Sequence, residues 1–495
     1  MIAVVAPFAL LLVLTLVFRR PLWQGGGLAL AAAVVAWLND PAVTAIHLFS
    51  PILRAVLVAT EVGLILLGAI AFLEYMDRIG TTRRIQAALG PFTGGEPILT
   101  ALLLAWLFCG FLEGAAGFGA PAALVAPLLS SLGFPALNAA VLPLIGDSAA
   151  VPFGAVGTPV RVGFDGLPAA GRAAIHGAGI NLLIGWIPPL FIALLAGRDR
   201  PGGPQKGASR RPLGLALWAG FCYTLPAFGL VWLGPEFPSL AGSLAGIGLF
   251  SLTLRIRQIP GAGKARKGAS LKTLASAFGP YLLLCLFLLG GKLLLGNRRL
   301  PFEIGGSGQA VGLFQPGLVF FLVILLLALA RRQEKPWELA ALLIRPARRL
   351  PGVWLAIFCM AALARLVVEL SDPTAALGVI FNGPGAGVLL VLIAPLAGTL
   401  GSFMTGSATV SNLLCAPFLV SACALTGADP GLVLGLQLVG AGIGNMISLQ
   451  NLVAVQATVG LTNQESVMLA RLWRPCLCYL AAASVLGLIL FFLRS

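Results

Sequence analysis

The sequence predicts an all-α polytopic membrane protein built from two inverted repeats, each a re-entrant hairpin followed by a broken helix. Three observations predict it. First, apolar runs near the length of a membrane-crossing helix recur from end to end. The 495 residues are 59% hydrophobic and only 10% charged, where a soluble domain carries about a quarter charged residues. Second, two of the longest apolar segments are interrupted at their middles by glycines and polar residues. Third, each of these is followed by an apolar run that breaks in its turn.

In order, helices are expected near 2–18 and 25–38, an interfacial stretch at 41–52, and a span at 53–75. Arg78, Arg83 and Arg84 then mark a cytoplasmic loop. Segment 98–133 is apolar but broken by GAAGFG. Spans follow at 138–160, 175–197, 212–234, 239–254, 277–296, 310–330 and 350–370. Segment 386–426 is broken by TGSATVSN (405–412), and the last spans are 431–459 and 472–493. With both broken segments re-entrant there are about twelve full crossings; if each crosses twice, hydropathy gives about fourteen. The chain is expected to form a single transporter domain, 1–495, with repeat cores at 53–160 and 350–460. MIAVVAPFALLLVLTLVFRR has its arginines after the apolar run, so it reads as a first span with its N-terminus outside rather than as a signal peptide.

The net charge of +15 does not point to nucleic acid. Most basic residues fall in short loops, at 198–211, 255–272 and 331–349, which is the positive-inside pattern of a membrane protein. The eight cysteines lie in apolar runs, and none makes a metal-ligand spacing with His47 or His176. No metal or cofactor is expected. His176 is read as an interfacial residue at a helix start.

The repeat emerges when Gly114 is placed over Gly406. GFLEGAAGFGAP (110–121) then lies over SFMTGSATVSNL (402–413). About twenty residues later, GFPALNAAVLPLIGDSAAVPFGAVGTP (133–159) shares its layout with GADPGLVLGLQLVGAGIGNMISLQN (427–451): a proline-containing turn, an apolar run, then glycine and polar residues. The first hairpin enters from the cytoplasm and the second from outside, so a substrate is expected between the four breaks near the midplane.

Backbone inside a bilayer must satisfy its own hydrogen bonds, so non-helical backbone survives there only when buried in protein or lining a wet cavity. Helix N-termini exposed at such breaks attract anions and carbonyl ends attract cations. Within 98–160 the only charged residues are Glu113 and Asp147; within 386–460 the only one is Asp429. An anion would thus be held by backbone dipoles and hydroxyls, with a co-bound cation, H⁺ or Na⁺, balancing its charge. The expected substrate-binding residues are Gly114, Ala115, Ala116 and Gly117 at the first tip and Thr405, Gly406, Ser407, Thr409, Ser411 and Asn412 at the second. Asn445, Ser448 and Gln450, beside Asn451, complete the set in the last broken helix. Glu113 is the candidate proton carrier, since intramembrane carboxyls are costly and tend to be functional; the competing role is capping free N–H groups of the tip. Asp147, in GDSAAVPFG, is read either as a second such carboxyl or as a cap on the second half of the broken helix. Arg365 and Glu369, spaced for an i, i+4 pair, read as a structural ion pair or, less simply, as an anion-steering arginine. Glu61 is a further relay candidate. GLVLGLQLVGAGIG (431–444) looks superficially like a nucleotide fingerprint, but no strand precedes it, so it is assigned to helix packing and breaking.

At these residues the chain resembles the lactate permease family. FLEGAAGFGAP matches that family's first motif almost unchanged. FGAVG (153–157) is similar to its FGAMG, TGSATVSN to its TGSDTSSN, GNMISLQN (444–451) to its GKMISPQS, and VGLTNQES (459–466) to its VGLVGKES; PEFPS (235–239) looks like a family loop. The resemblance implies a symporter of L-lactate, D-lactate or glycolate with protons, in the cell inner (plasma) membrane. It also implies an inverted-repeat architecture, homodimeric assembly and elevator-type movement. The chain departs from the pattern at Ala408, where the family has an aspartate, at Asn445, where it has a lysine, and at Leu449, where it has a proline. Asp147 stands where the family has asparagine. Acid and base are lost together, as expected for a pair, and Asp147 is the candidate to take over part of the missing carboxylate's role.

The leading reading is a cation-coupled symporter of a small 2-hydroxy monocarboxylate. The alternative is a carrier of another organic anion, driven by Na⁺. A passive channel presents rings of charge or carbonyls about an axis, whereas paired broken repeats suit alternating access better. An enzyme needs a nucleophile–base or metal constellation, and the sequence offers none at a plausible depth.

Overall fold

A computed structural model describes residues 6–7, 9–11, 13–18, 20–38, 43, 45–117, 119–199, 211–256, 271–296, 298–304, 307–331, 341–342, 344–345, 347–348, 350–370 and 373–493. The chain is a helical, polytopic membrane protein. Among the described residues seven helices are long and apolar enough to cross a bilayer, or nine if each sharply bent pair is one span. The basic loops at 198–211, 255–272 and 331–349 fall largely outside the described residues.

Several elements differ from expectation. The stretch at 41–52 and the next span merge into one helix, Ala45–Arg78, with Pro51 inside it. Pro51 sits in its second turn, close enough to the start that few helical hydrogen bonds are lost. The loop carrying Arg83 and Arg84 is an amphipathic helix, Thr81–Thr93, with Ile85, Leu89 and Phe92 buried on one face. The span expected at 175–197 is two helices, Ala170–Ile184 and Ile187–Ala196, bent by 42°. Pro188 and Pro189 open the second, and neither has an N–H to continue the first. Residues Arg299–Ile304 and Ser307–Gly312 pair as an antiparallel hairpin, the one departure from all-helical structure among the described residues. It links two apolar helices, Gly279–Leu295 and Pro316–Arg331.

The chain divides into two compact units. The smaller comprises residues 1–76, 280–390 and 413–427. Its core includes Phe72, whose ring meets Tyr281 edge-on at 5.2 Å and Phe320 at 5.7 Å. Gly68 and Gly317 let two of its helices approach backbone to backbone. Glu61 and Arg365 belong to this unit, and the Glu369 side chain lies outside the described ones.

The larger unit comprises residues 77–279, 391–412 and 428–495. Its centre is the helix Pro430–Ile447, buried along its whole length. Glycines make that possible. A side chain at Gly440 would strike the Pro395 carbonyl, one at Gly444 the Thr399 carbonyl, and one at Gly398 the Gln437 carbonyl. Gly435 packs in the same way on His176 and Ala173. The glycine-rich string 431–444 is therefore a packing seam. His176 lies in mid-helix rather than at a helix start, with its Nε2 3.5 Å from Asp429, which also pairs with Arg172 and caps the helix at Gly431.

Candidate functional site

The first hairpin descends through residues 97–115, fully buried along its apolar window, and turns at Gly117 (φ +63°) and Gly119 (φ +78°). Its return arm, Ala120–Ser131, has twelve residues. At 1.5 Å per residue that is about 18 Å, well short of the roughly 30 Å hydrocarbon core. The glycines are dictated by space as well as by φ. A Cβ at Gly114 would strike the backbone of Ser239 and Leu240, and one at Gly119 the Asn451 amide.

The helix that follows, Ala136–Asp147, ends in a turn and resumes at 57° to its former course. The break contains Ala155 (φ +43°), Val156 (φ +56°) and Gly157 (φ +75°), three successive left-handed residues. Two of them carry a Cβ, at roughly 1–2 kcal/mol each. The surroundings hold the turn in place. Thr158 Oγ1 donates to the Ala155 carbonyl at 2.5 Å. Pro235 and Glu236 pack against Gly157. Arg161 pairs with the wholly buried Glu236 at 2.6 Å. Ser239 and Tyr223 donate to the carbonyls of Ala150 and Ala149.

Glu113 and Asp147 are 3% and 2% exposed. The two carboxyl groups are close enough to interact electrostatically. Glu113 Oε1 lies directly over Gly154, where any side chain would displace it. Glu113 Oε2 and Asp147 Oδ1 are buried without a hydrogen-bond donor among the described residues. Asp147 ends its helix rather than beginning the next one, so it does not cap the resumed helix.

The second tip turns at Gly406 (φ +66°) between Ala386–Thr405 and Ala408–Thr426. Its hydroxyls have distinct partners. Thr405 Oγ1 donates to the Gly401 carbonyl at 2.8 Å, and Ser407 Oγ accepts from Val410 N at 3.3 Å, capping the second arm. Ser411 Oγ donates to the Gly398 carbonyl at 2.9 Å. Asn412 Nδ2 donates to the Pro159 carbonyl at 2.9 Å and its Oδ1 accepts from Gln437, tying the second tip to the first broken helix. The last broken helix interrupts at Ser448 and resumes as Leu449–Thr458. Asn451 Nδ2 donates to Asn445 Oδ1 at 3.0 Å across that break.

All four breaks converge within the larger unit. One cavity of about 20 Å³ is lined by Glu113, Gly154 and Ala155 from the first repeat and by Gly406, Ser407, Ala408, Thr409 and Asn445 from the second, with Val151 and Pro159. It has room for about one water molecule. No lysine or arginine lines it. Of the expected binding residues, Gly406, Ser407, Thr409 and Asn445 face this cavity, as does Glu113. Gly114, Ala115, Ala116 and Gly117 shape the first tip behind it. Thr405, Ser411 and Asn412 are engaged within or between the hairpins, and Ser448 and Gln450 stand over Gly406.

Sequence reasoning passed over Gly154 and the Arg161–Glu236 pair. Both belonged to motifs in plain view, FGAVG and PEFPS, but only the fold shows that a carboxyl rests on one and that the other braces the left-handed turn. Among the described residues no group of His, Cys, Asp and Glu side chains has the form of a metal site.

Comparison with known proteins was consistent along the chain. The profile of the L-lactate permease family matches residues 1–290 and 310–494. An L-lactate permease of Bacillus subtilis is 27% identical over 500 aligned residues, covering 89% of this chain and 86% of the relative. An L-lactate permease of Halalkalibacterium halodurans is 29% identical, covering 74% and 73%. A glycolate permease of Escherichia coli is 26% identical, covering 79% and 77%.

Proposed function

Because the chain belongs to the L-lactate permease family, we propose that it carries a small 2-hydroxy monocarboxylate, lactate or glycolate, inward across the cell membrane together with a proton. It is a membrane transporter rather than an enzyme. The single observation that carries the coupling is the burial of two electrostatically interacting carboxyls, of which Glu113 lines the cavity. Two buried, interacting carboxyls, with no basic side chain lining the cavity, form a site for one exchangeable positive charge. A proton shared between them is the simplest occupant. The substrate occupies the cavity between the tips, which must part to admit it, since the cavity is smaller than a lactate ion. Every residue of the site belongs to the larger unit, which supports an elevator movement in which that unit travels with its cargo. The homodimer implied by the resemblance belongs to the same reading, and native mass spectrometry of the purified protein tests it.

The experiment is uptake of labelled L-lactate and glycolate into proteoliposomes under an imposed pH gradient and, separately, a Na⁺ gradient. Uptake driven by the pH gradient is expected. No uptake of either acid under either gradient rejects the substrate. Uptake driven by Na⁺ alone moves the acid pair from proton carrier to Na⁺ site.

A further inference from the structure

Four features meet at Gly406. The helix Ala408–Thr426 begins there, and the helix Leu449–Thr458 begins at Ser448 beside it. A Cβ added at Gly406 would lie 2.8 Å from Gln450 Oε1 and 3.1 Å from Ser448 Oγ, so both side chains stand over the space that the missing side chain leaves. Ser448 is completely buried, its hydroxyl makes no capping bond to its own helix, and Ser448 Oγ has no hydrogen-bond partner among the described residues. A buried hydroxyl without a partner calls for an explanation, and this one stands beside two helix N-termini.

The chemistry of this corner is that of an anion receptor. The first-turn N–H groups of a helix have no acceptor within it, and its dipole is positive at that end. Two such ends lie side by side here, with a hydroxyl donor and an amide that can present its nitrogen after a flip. Gly406 also lines the cavity that holds Glu113. The cavity is thus polarised, with Gly406 and the start of the helix Ala408–Thr426 in one part of its wall, next to Ser448 and Gln450, and the carboxyl of Glu113 in another. An anionic carboxylate is repelled by the acid end and welcomed at the donor end.

We infer that Gly406, Ser448 and Gln450, with the N-termini of the two helices, form the carboxylate subsite of the transport cavity, which fixes the direction in which the substrate lies. The remainder of the substrate then points towards Glu113. This rests on the monocarboxylate reading and goes beyond it by assigning one end of the molecule.

The test is uptake of labelled L-lactate into proteoliposomes, with unlabelled L-lactate and uncharged lactamide as competitors. Three variants are compared: Ser448→Ala, Gln450→Ala and Gln450→Glu. Gln450 is exposed, so its variants are expected to fold even if the buried Ser448→Ala does not. Losing a hydrogen bond to a charged group corresponds to about a tenfold loss of affinity or more. The half-saturating lactate concentration should rise about tenfold in Ser448→Ala and further in Gln450→Glu, where like charges meet. Gln450→Ala should shift it by about threefold. Maximal rates should stay within about twofold, and the preference for lactate over lactamide should shrink in step. A general loss of structure would lower the rate and leave that preference alone. Unchanged half-saturation in Gln450→Glu, or an unchanged lactate-to-lactamide preference in the variants, overturns the subsite. Wild-type protein that neither takes up lactate nor gains thermal stability from it defeats the monocarboxylate reading, and the subsite with it.

Discussion

The two hairpin tips occupy matching positions in the repeat yet are furnished in opposite ways. The first carries an acid and no hydroxyl; the second carries hydroxyls and no acid. At the first tip Gly114 is packed against Ser239 and Leu240, and the one polar side chain, Glu113, rests over Gly154 and interacts electrostatically with Asp147. At the second, most polar side chains satisfy the hairpin's own backbone or that of its neighbour. The difference teaches that repetition preserved the backbone device, a glycine turn inside an apolar segment, while the chemistry divided. One tip holds exchangeable charge; the other offers donors and helix ends.

Variants can sharpen or break that division. The largest effect is expected from Glu113→Gln, which removes the ionisable group of the first tip. Uptake driven by a pH gradient should fall by about a hundredfold, in the range for loss of a general proton-transfer group; near-normal ΔpH-driven uptake would return Glu113 to a structural role. Gly154→Ala should come close to it, because the added methyl takes the place of Glu113 Oε1. It should also lower stability by about 1–3 kcal/mol through overpacking, read by thermal unfolding in detergent. Asp147→Asn leaves a hydrogen-bonding partner for Glu113, so uptake should fall by about tenfold, and full retention would mean that Glu113 works alone. At the second tip, Asn412→Ala removes the tie to the Pro159 carbonyl. It should cost about 1–2 kcal/mol of stability with a smaller fall in rate. The smallest effect is expected from Thr405→Val, whose hydroxyl serves its own hairpin. Uptake within about twofold of wild type fits, whereas a large rise in half-saturation would place Thr405 on the substrate.

The tips and breaks were legible because glycines and polar residues within apolar runs have few physical explanations. Glu113 and Asp147 stood out for the same reason. What sequence left open was mostly geometry at a distance. Nothing in the spacing of residues 170–196 fixed whether Gly185, Pro188 and Pro189 would bend the chain or merely decorate it. Glu236 read as part of a loop, because a charge in a loop does not announce that it will be fully buried against Arg161, seventy-five residues away in the chain. Residues 41–52 and 53–75 read as two elements, but Pro51 lies near the start of a single helix, where a proline costs little. Ser411 and Asn412 looked like ligands by composition alone. Only the fold shows that their side chains are already committed, to Gly398 and Pro159.

The seam along Pro430–Ile447 has a mechanical consequence. Gly398, Gly440 and Gly444 each sit on a carbonyl of the opposite helix, and Thr399 Oγ1 donates to the Gly440 carbonyl at 3.0 Å. These contacts work like meshed gear teeth. Sliding either helix by one residue would drive a side chain into a carbonyl, so residues 395–405 and the helix Pro430–Ile447 resist sliding past each other. The opposite arm of the second hairpin is fastened near its tip by hydrogen bonds through Ser411 and Asn412, to the Gly398 and Pro159 carbonyls and from Gln437, each worth about 1 kcal/mol.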